Sequence, residues 1–195
     1  MANSNTPYII SNASTAKYEI KKSLFIGEIS PCNTEREAMI QLRKFISQHP
    51  DANHLAFAWR IRQENGFINE RSNDGGEPSG TAGRPLLAPL EGNAIINAVV
   101  GVIRYFGGVK LGTGGLARAY GTAAKLAIEQ ATLSPWIEHT VFELVLDYSQ
   151  LQLLEYHLKK HTGHIIEQQF IDKVTVKIHM PLDRKQAILN LFPDY

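Results

Sequence analysis

Glycine is concentrated in two short segments of the chain, and these segments constrain the fold more than any other feature. The first covers residues 73–83 and the second covers residues 107–115, with an apolar run over residues 94–106 between them. Glycine is costly inside a helix or strand because it loses the most backbone entropy on folding. Its density here predicts that the backbone turns sharply, or approaches another group closely, in both segments.

The second glycine segment leads into a stretch with an unusual charge pattern. Residues 92–128 contain no Asp or Glu, and a helical pattern begins near Gly114. A helix N-terminus offers unpaired N–H groups and a partial positive charge, both of which favour an anion. The basic residues of this stretch are Arg104, Lys110, Arg118 and Lys125. The pattern therefore predicts a phosphate-binding face.

A break in the helical pattern predicts two domains. Residues 133–136, Leu-Ser-Pro-Trp, interrupt the helix, so we expect a domain over residues 1–135 and another over residues 136–195. The first domain carries 14 Lys/Arg and 11 Asp/Glu, and the second carries 6 Lys/Arg and 8 Asp/Glu. A basic first domain favours polyanion binding there.

Periodicity predicts an α/β (α+β) fold. In the first domain we expect strands over residues 17–29, 54–61 and 94–106, helices after Asn33 or Thr34, over 84–92 and over 114–131, and a long polar loop over 63–83. The second domain shows a β-α-β-β-α order, typical of a ferredoxin-like module without its last strand. That strand is either missing or supplied by another surface.

Cysteine use and hydropathy indicate a compartment. Cys32 is the single cysteine, which excludes an internal disulfide and a cysteine-based zinc site. Residues 1–14 lack a signal-peptide pattern, and no uncharged apolar run reaches membrane-spanning length. We expect a cytoplasmic protein with no membrane partner.

The two glycine segments together resemble those of the YigZ/IMPACT family. They read Asp-Gly-Gly-Glu-Pro-Ser-Gly-Thr-Ala-Gly over residues 74–83 and Val-Ile-Arg-Tyr-Phe-Gly-Gly-Val-Lys-Leu-Gly-Thr-Gly-Gly-Leu over residues 102–116. Asp-Ala-Asn-His at residues 51–54 fits the same family, and the resemblance extends through the C-terminal third. In one departure, the family usually shows two acids before Gly-Glu-Pro, whereas here Gly75 follows Asp74.

The resemblance implies a fold and a setting. It implies a first domain similar to the second domain of ribosomal protein S5, and a ferredoxin-like second domain resembling a late domain of elongation factor G. Eukaryotic relatives act as translational regulators in amino-acid-starvation signalling. We therefore expect a non-enzymatic protein that binds RNA or a ribosomal component, uses no cofactor or metal, and contacts a protein partner through its second domain.

The predicted site has two parts. The phosphate-binding residues are expected to be Arg104, Lys110, Gly112, Thr113, Gly114, Gly115, Arg118 and Lys125. A candidate site loop contains His54, Asp74, Glu77, Ser79, Thr81 and Arg84.

Three alternatives remain at this point. Small-molecule kinases of the GHMP type share the S5-like fold and place a glycine-rich loop before a helix, so residues 112–115 could hold a nucleotide phosphate, with Asp74 and Glu77 binding Mg²⁺. The eukaryotic relatives suggest instead a protein–protein adaptor in translational stress regulation. A purely architectural role for the glycines, in tight turns and close packing, also fits the pattern.

Overall fold

A computed structural model describes residues 6–193 of the chain. The chain divides into two compact units, one ending at Trp136 and the other beginning at Ile137. Both units combine helices with an antiparallel sheet, which confirms the predicted α/β class. Among the described residues, no helix has both the length and the hydropathy needed to cross a bilayer.

The first unit is built on two antiparallel sheets. Its strands are β1 (Tyr8–Ile10), β2 (Ser14–Ile20), β3 (Ser23–Pro31), β4 (His54–Arg62), β5 (Ile68–Asn73), β6 (Ala98–Tyr105) and β7 (Leu133–Pro135). The five-stranded sheet has the order β2-β3-β6-β4-β5, and β1 pairs with β7. The central strand β6 is buried along almost its whole length. Both faces of this sheet are therefore covered.

Three helices cover the two faces of the five-stranded sheet. They are α1 (Glu35–Ser47), α2 (Gly83–Gly92) and α3 (Gly112–Glu129). Phe25 packs in the cluster shared with α2 and α3, whereas its neighbour Ile26 packs with α1, because successive strand residues point to opposite faces. A Cβ on Gly27 would lie 2.5 Å from the carbonyl oxygen of Ala123, so only glycine lets α3 cross this closely.

The start of α1 follows its sequence signal. Thr34 is the N-cap residue, and its hydroxyl accepts a hydrogen bond from the backbone N–H of Glu37 at 3.1 Å. The Glu37 carboxylate in turn accepts from the N–H of Asn33 at 2.7 Å. These bonds satisfy N–H groups that a helix start leaves unpaired. The predicted cap is confirmed at Thr34.

The expectation of one strand over residues 17–29 was wrong. The chain reverses at Lys21 and Lys22, which have φ values of 45° and 64°, and β2 and β3 form a hairpin. Lysine seldom adopts this left-handed conformation, and the turn holds none of the Gly or Asn that usually marks one. The apolar alternation simply continues across it, so the sequence conceals the turn.

The expectation of a loop over residues 63–83 was wrong for its first half. β5 lies there as an edge strand, with Arg71 opposite Trp59 of β4. Its side chains are mostly exposed and polar, and therefore show no apolar period. The irregular part of the expected loop is reduced to the β4–β5 turn over residues 63–67 and to residues 74–82.

Residues 133–136 are ordered elements of the first unit. Ser134 of β7 pairs with Ile9 of β1, and the N–H of Trp136 donates to the carbonyl of Pro7 at 2.8 Å. The Arg62 guanidinium lies 4.3 Å from the centre of the Trp136 ring. The helical pattern of α3 ends before residue 133 because β7 follows.

The second unit has the predicted β-α-β-β-α order. Its elements are β8 (His139–Leu146), α4 (Leu151–Lys160), β9 (His164–Phe170), β10 (Val174–Pro181) and α5 (Lys185–Leu189). The sheet order is β8-β10-β9, and one face packs with the two helices around Leu144, Leu154 and Ile188. A complete ferredoxin-like module has a fourth strand beside its first. Within residues 6–193, β8 pairs with β10 alone.

The two-domain organisation can be tested by limited proteolysis. We expect the first cut near Ile137, which is 53% exposed, rather than within residues 133–136, which are paired or packed. Burial, together with the nearby Glu37 carboxylate, raises the pKa of the Cys32 thiol to about 12. A buried thiol of high pKa reacts slowly. Cys32 should therefore resist alkylation in the N-terminal fragment as it does in the whole chain.

Alkylation of Cys32 in urea gives the reaction rate of this thiol in the unfolded chain. An N-terminal fragment whose Cys32 reacts at that rate would contradict an independently folded first domain.

Candidate functional site

Asp74 accepts hydrogen bonds that join the start of the first glycine segment to its end. One carboxylate oxygen accepts from the N–H groups of Ala82 and Gly83 at 2.9 and 2.8 Å, and the other accepts from Gly80 at 2.9 Å. Ala82 and Gly83 form the start of α2, whose own N-cap side chain makes no capping bond. Burial alone would raise the pKa of Asp74, but these three bonds outweigh burial and lower it. Asp74 therefore caps α2 from a distance.

The departure at residue 75 has a structural reason. Gly75 has a φ of 60°, and a Cβ there would overlap the carbonyl of Leu55. Its own carbonyl oxygen lies 3.0 Å from Nδ1 of His54, which donates the proton in this contact. In this backbone conformation any side chain at residue 75 would collide with Leu55, so the position is suited to glycine. His54 thus helps to hold the loop.

Glu77 and Arg104 form a buried ion pair. Oε1 of Glu77 accepts from a guanidinium N–H of Arg104 at 2.7 Å and from the Tyr120 hydroxyl at 2.9 Å. The side chains of Glu77 and Arg104 are 4% and 7% exposed. Burial raises the pKa of Tyr120, and the Glu77 carboxylate raises it further. Three elements, the loop, β6 and α3, meet at one carboxylate.

This geometry bears on one prediction and on one of the alternatives. Arg104 is buried and paired, so the predicted phosphate contact through its side chain does not fit the structure. Asp74 and Glu77 were possible Mg²⁺ ligands, but both oxygens of Asp74 accept backbone hydrogen bonds, and Oε1 of Glu77 accepts from Arg104 and Tyr120. Across the described residues, no group of three or more His, Cys, Asp or Glu is arranged to hold a metal.

The remaining members of the predicted site loop divide by exposure. The Thr81 hydroxyl is buried and donates to the carbonyl of Pro78 at 2.6 Å. Arg84 is exposed and pairs with Glu91 at 3.1 Å. Ser79 is exposed. Most of this loop is therefore held by internal contacts, which indicates a structural role.

The second glycine segment lies against the β2–β3 turn. A Cβ on Gly107 would overlap the backbone of Lys22, and its N–H donates to the Ser23 hydroxyl at 3.1 Å. This contact brings the Lys21–Lys22 turn beside the loop that carries Lys110. All three lysines are exposed. Sequence reasoning missed the first two because it missed the hairpin that presents them.

The N-terminus of α3 is open to solvent. Leu111 is its N-cap residue and makes no side-chain cap bond, and the first turn contains no acid. Gly112, Thr113 and Gly114 are exposed, and a Cβ on Gly114 would meet no atom within 4 Å. Gly115 is only partly exposed. The N–H groups at this helix start are therefore accessible, as the pattern predicted.

The other two predicted cations lie elsewhere on α3. Arg118 and Lys125 are exposed and line a groove between α2 and α3. At 1.5 Å per residue, Lys125 is about 20 Å along the helix from Gly112. The structure thus separates the four predicted cations into a buried one, Arg104, a loop residue, Lys110, and a groove pair.

Replacing Asp74 should weaken the first unit in a pH-dependent way. Asp74→Ala leaves three N–H groups without their acceptor, so we expect a loss of about 2 kcal/mol in the free energy of unfolding at neutral pH. Asp74→Asn keeps one acceptor oxygen and should lose less. Urea denaturation of both variants and wild type at several pH values measures this.

The sign of the pH effect follows from the lowered pKa of Asp74. Its stabilising contribution is complete above the usual value of 3.8 and is lost as the pH falls through the lower folded-state pKa. The stability gap between wild type and Asp74→Asn should therefore narrow below that pH. A gap that stays constant down to acid unfolding would show that the charge of Asp74 contributes nothing.

Breaking the buried ion pair should cost more than breaking an exposed one. Glu77→Ala leaves Arg104 buried without its partner, and we expect a loss of about 3–5 kcal/mol in the free energy of unfolding. Tyr120→Phe removes a single hydroxyl and should cost about 1 kcal/mol. The exposed pair of Arg84 and Glu91 supplies the control, because Glu91→Ala should cost less than about 1 kcal/mol.

Urea titrations of the three variants give the comparison. Equal losses for Glu77→Ala and Glu91→Ala would contradict a central role for the buried pair.

The chain has clear relatives among known proteins. Residues 21–128 match the Impact N-terminal domain, and residues 144–194 match a domain of unknown function, DUF1949. IMPACT family member YigZ of Escherichia coli (strain K12) is 35% identical over 167 residues, which cover 86% of this chain and 82% of the relative.

Solved structures also resemble the chain. A crystal structure of a hypothetical protein is 32% identical, covers 97% of this chain and 92% of its own, and superposes with a TM-score of 0.73. The two-domain translational regulator Yih1 is 26% identical over 67% of this chain and 52% of its own, with a TM-score of 0.38. Both domain matches and the long alignment to YigZ lead to one conclusion: this chain belongs to the IMPACT family.

Proposed function

We propose that this protein binds the phosphate backbone of RNA through a basic face of its first unit, and that it acts in translational regulation without catalysis of its own. The observation that carries the proposal is the packing of Gly107 against the Lys22 backbone. This contact places Lys21 and Lys22 beside the loop that bears Lys110 and leads into α3. We call these three lysines, together with residues 112–114, the basic face.

The charge of the basic face is available to a ligand. Lys21, Lys22 and Lys110 are exposed, and none of them forms an ion pair with a residue in the described range 6–193. Lysine binds phosphate as a mobile point charge, which suits contacts that do not depend on base sequence. The uncapped N-terminus of α3 adds backbone N–H donors for an anion.

An exposed aromatic ring follows the end of β6, one residue before Gly107. Phe106 is 48% exposed, and its backbone N–H donates to the side chain of Asn53 at 2.8 Å. The Arg104 guanidinium lies 5.2 Å from the centre of its ring. A ring held in this way offers a face on which an unpaired base can stack. Single-stranded RNA is therefore the favoured ligand.

Membership of the IMPACT family supports the translational setting, because the family resemblance implies translational regulation for the eukaryotic relatives. An unpaired segment of ribosomal RNA would join this setting to a backbone-binding surface that carries an exposed ring. The alternative of a nucleotide-using enzyme has weaker support, since Asp74 and Glu77 are engaged in holding the loop, β6 and α3. A free nucleotide would contact the N-terminus of α3 without a Mg²⁺ ion held by Asp74 and Glu77.

RNA affinity should fall with salt in proportion to the number of phosphates neutralised. Three lysine contacts to single-stranded RNA predict a log–log slope of about −2. Lys22→Ala should flatten the slope by about 0.7, equally for RNAs of different sequence. Gly114→Val should weaken binding without changing charge, because it obstructs the open helix start. Fluorescence anisotropy across a salt series measures the wild-type slope, the Lys22→Ala slope and the affinity of Gly114→Val.

Lys44→Ala is the matched control. Lys44 is an exposed lysine in the last turn of α1, which packs on the opposite face of the sheet, so its removal should leave the slope unchanged. A slope near zero for wild type, or the same slope for Lys22→Ala and Lys44→Ala, would contradict the proposal. Full competition by ATP at millimolar concentration would favour the nucleotide reading.

A further inference from the structure

A groove of about 690 Å³ lies between α2 and α3. Its lining residues recur at helical spacing on both helices, with Pro85, Ala88 and Gly92 on α2 and Ala117, Gly121 and Lys125 on α3. One face of each helix therefore forms one wall. The groove opens to solvent, and Ile128 in its lining also belongs to the apolar cluster that both helices share with the sheet.

Small residues give the groove its floor. A Cβ on Gly121 would lie 3.6 Å from the carbonyl oxygen of Pro85, so the two helices approach closely at this point. Ala88 and Ala117 extend the small, uncharged surface along the groove, and Ile128 lies towards one end of α3. This floor accepts apolar side chains, and Asn93 and Thr122 add polar groups to the lining.

The charge of the groove comes mainly from α3. Arg118 and Lys125 are exposed and have no ion-pair partner among the residues that the structure describes. They are seven residues apart, which is two helical turns, and so lie on the same side of α3 about 10 Å from each other. The α2 wall contributes no charged residue, and α3 contributes one acid, Glu129.

We propose that this groove binds an acidic segment of a partner protein. Apolar side chains of the segment pack on the small floor, and two of its carboxylates pair with Arg118 and Lys125. Carboxylates that point to the same side about 10 Å apart are seven residues apart on a helix, or three residues apart on a polyproline II segment, whose sides recur every third residue. The site is independent of the basic face and gives the protein a second class of partner.

The lining favours a peptide over nucleic acid. Sequence-tolerant RNA surfaces place aromatic rings where bases can stack, and the lining of this groove contains none. Its uncharged floor would instead exclude a phosphate backbone from close contact. The spacing of two cations above an apolar floor is complementary to an amphipathic acidic segment.

Selection from random peptides can reveal the preferred ligand. The full chain is panned against displayed peptides of about 12 residues, which span about 18 Å as a helix. Binders are counter-selected on Ala88→Trp, whose exposed position lets the ring fill the groove without disturbing the fold. We expect the selected peptides to carry pairs of Asp or Glu three or seven residues apart, with apolar residues between them.

Fluorescence anisotropy of a selected peptide then tests the two cations. Arg118→Glu combined with Lys125→Glu should weaken binding at least about tenfold, since two ion pairs become two repulsions. Lys44→Glu, on the opposite side of the first unit, should change affinity less than about twofold. RNA affinity should respond to Lys22→Ala and not to Ala88→Trp.

Two outcomes would overturn the inference. One is selected peptides that lack acidic pairs, or that bind the charge-reversed variant as tightly as wild type. The other is a loss of RNA binding in Ala88→Trp equal to the loss in Lys22→Ala, which would make the groove part of the RNA surface. If neither wild type nor any variant binds RNA, the proposed function is wrong. The inference about the groove still stands in that case.

Discussion

The buried ion pair between Glu77 and Arg104 is the contact on which the first unit depends. Arg104 belongs to β6, at the centre of the sheet, and Glu77 belongs to the irregular segment that follows β5. The Tyr120 hydroxyl joins the same carboxylate from α3. Removing two charges from water is costly, and the mutual attraction offsets this cost only when further hydrogen bonds complete the pair. Here one carboxylate fixes three elements against each other.

Much of the fold could be predicted because its signals are local. Thr34 with Glu37 marks a helix start, and the apolar period of residues 116–127 marks a buried helix face. The Lys21–Lys22 turn and β5 were missed for the opposite reason. Two lysines in the left-handed conformation carry no turn signal, and an exposed polar edge strand has no apolar period. Tertiary pairing alone defines both elements.

The candidate site was predicted in part. The acid-free stretch correctly identified the open N-terminus of α3, because helix polarity and the absence of acids are visible in sequence. Arg104 was assigned to solvent because its partner, Glu77, is distant along the chain. A buried pair is invisible until the topology brings its members together. The same limit hid Lys21 and Lys22, which reach the site through Gly107.

The continuity of α3 has a consequence for anything that binds this protein. The helix runs without a break from Gly112 to Glu129, about 27 Å in length. Its start belongs to the basic face, and its later turns form one wall of the groove. A rigid rod of this kind holds two ligands at a fixed distance and orientation. The first unit would then act as a rigid spacer between the two ligands.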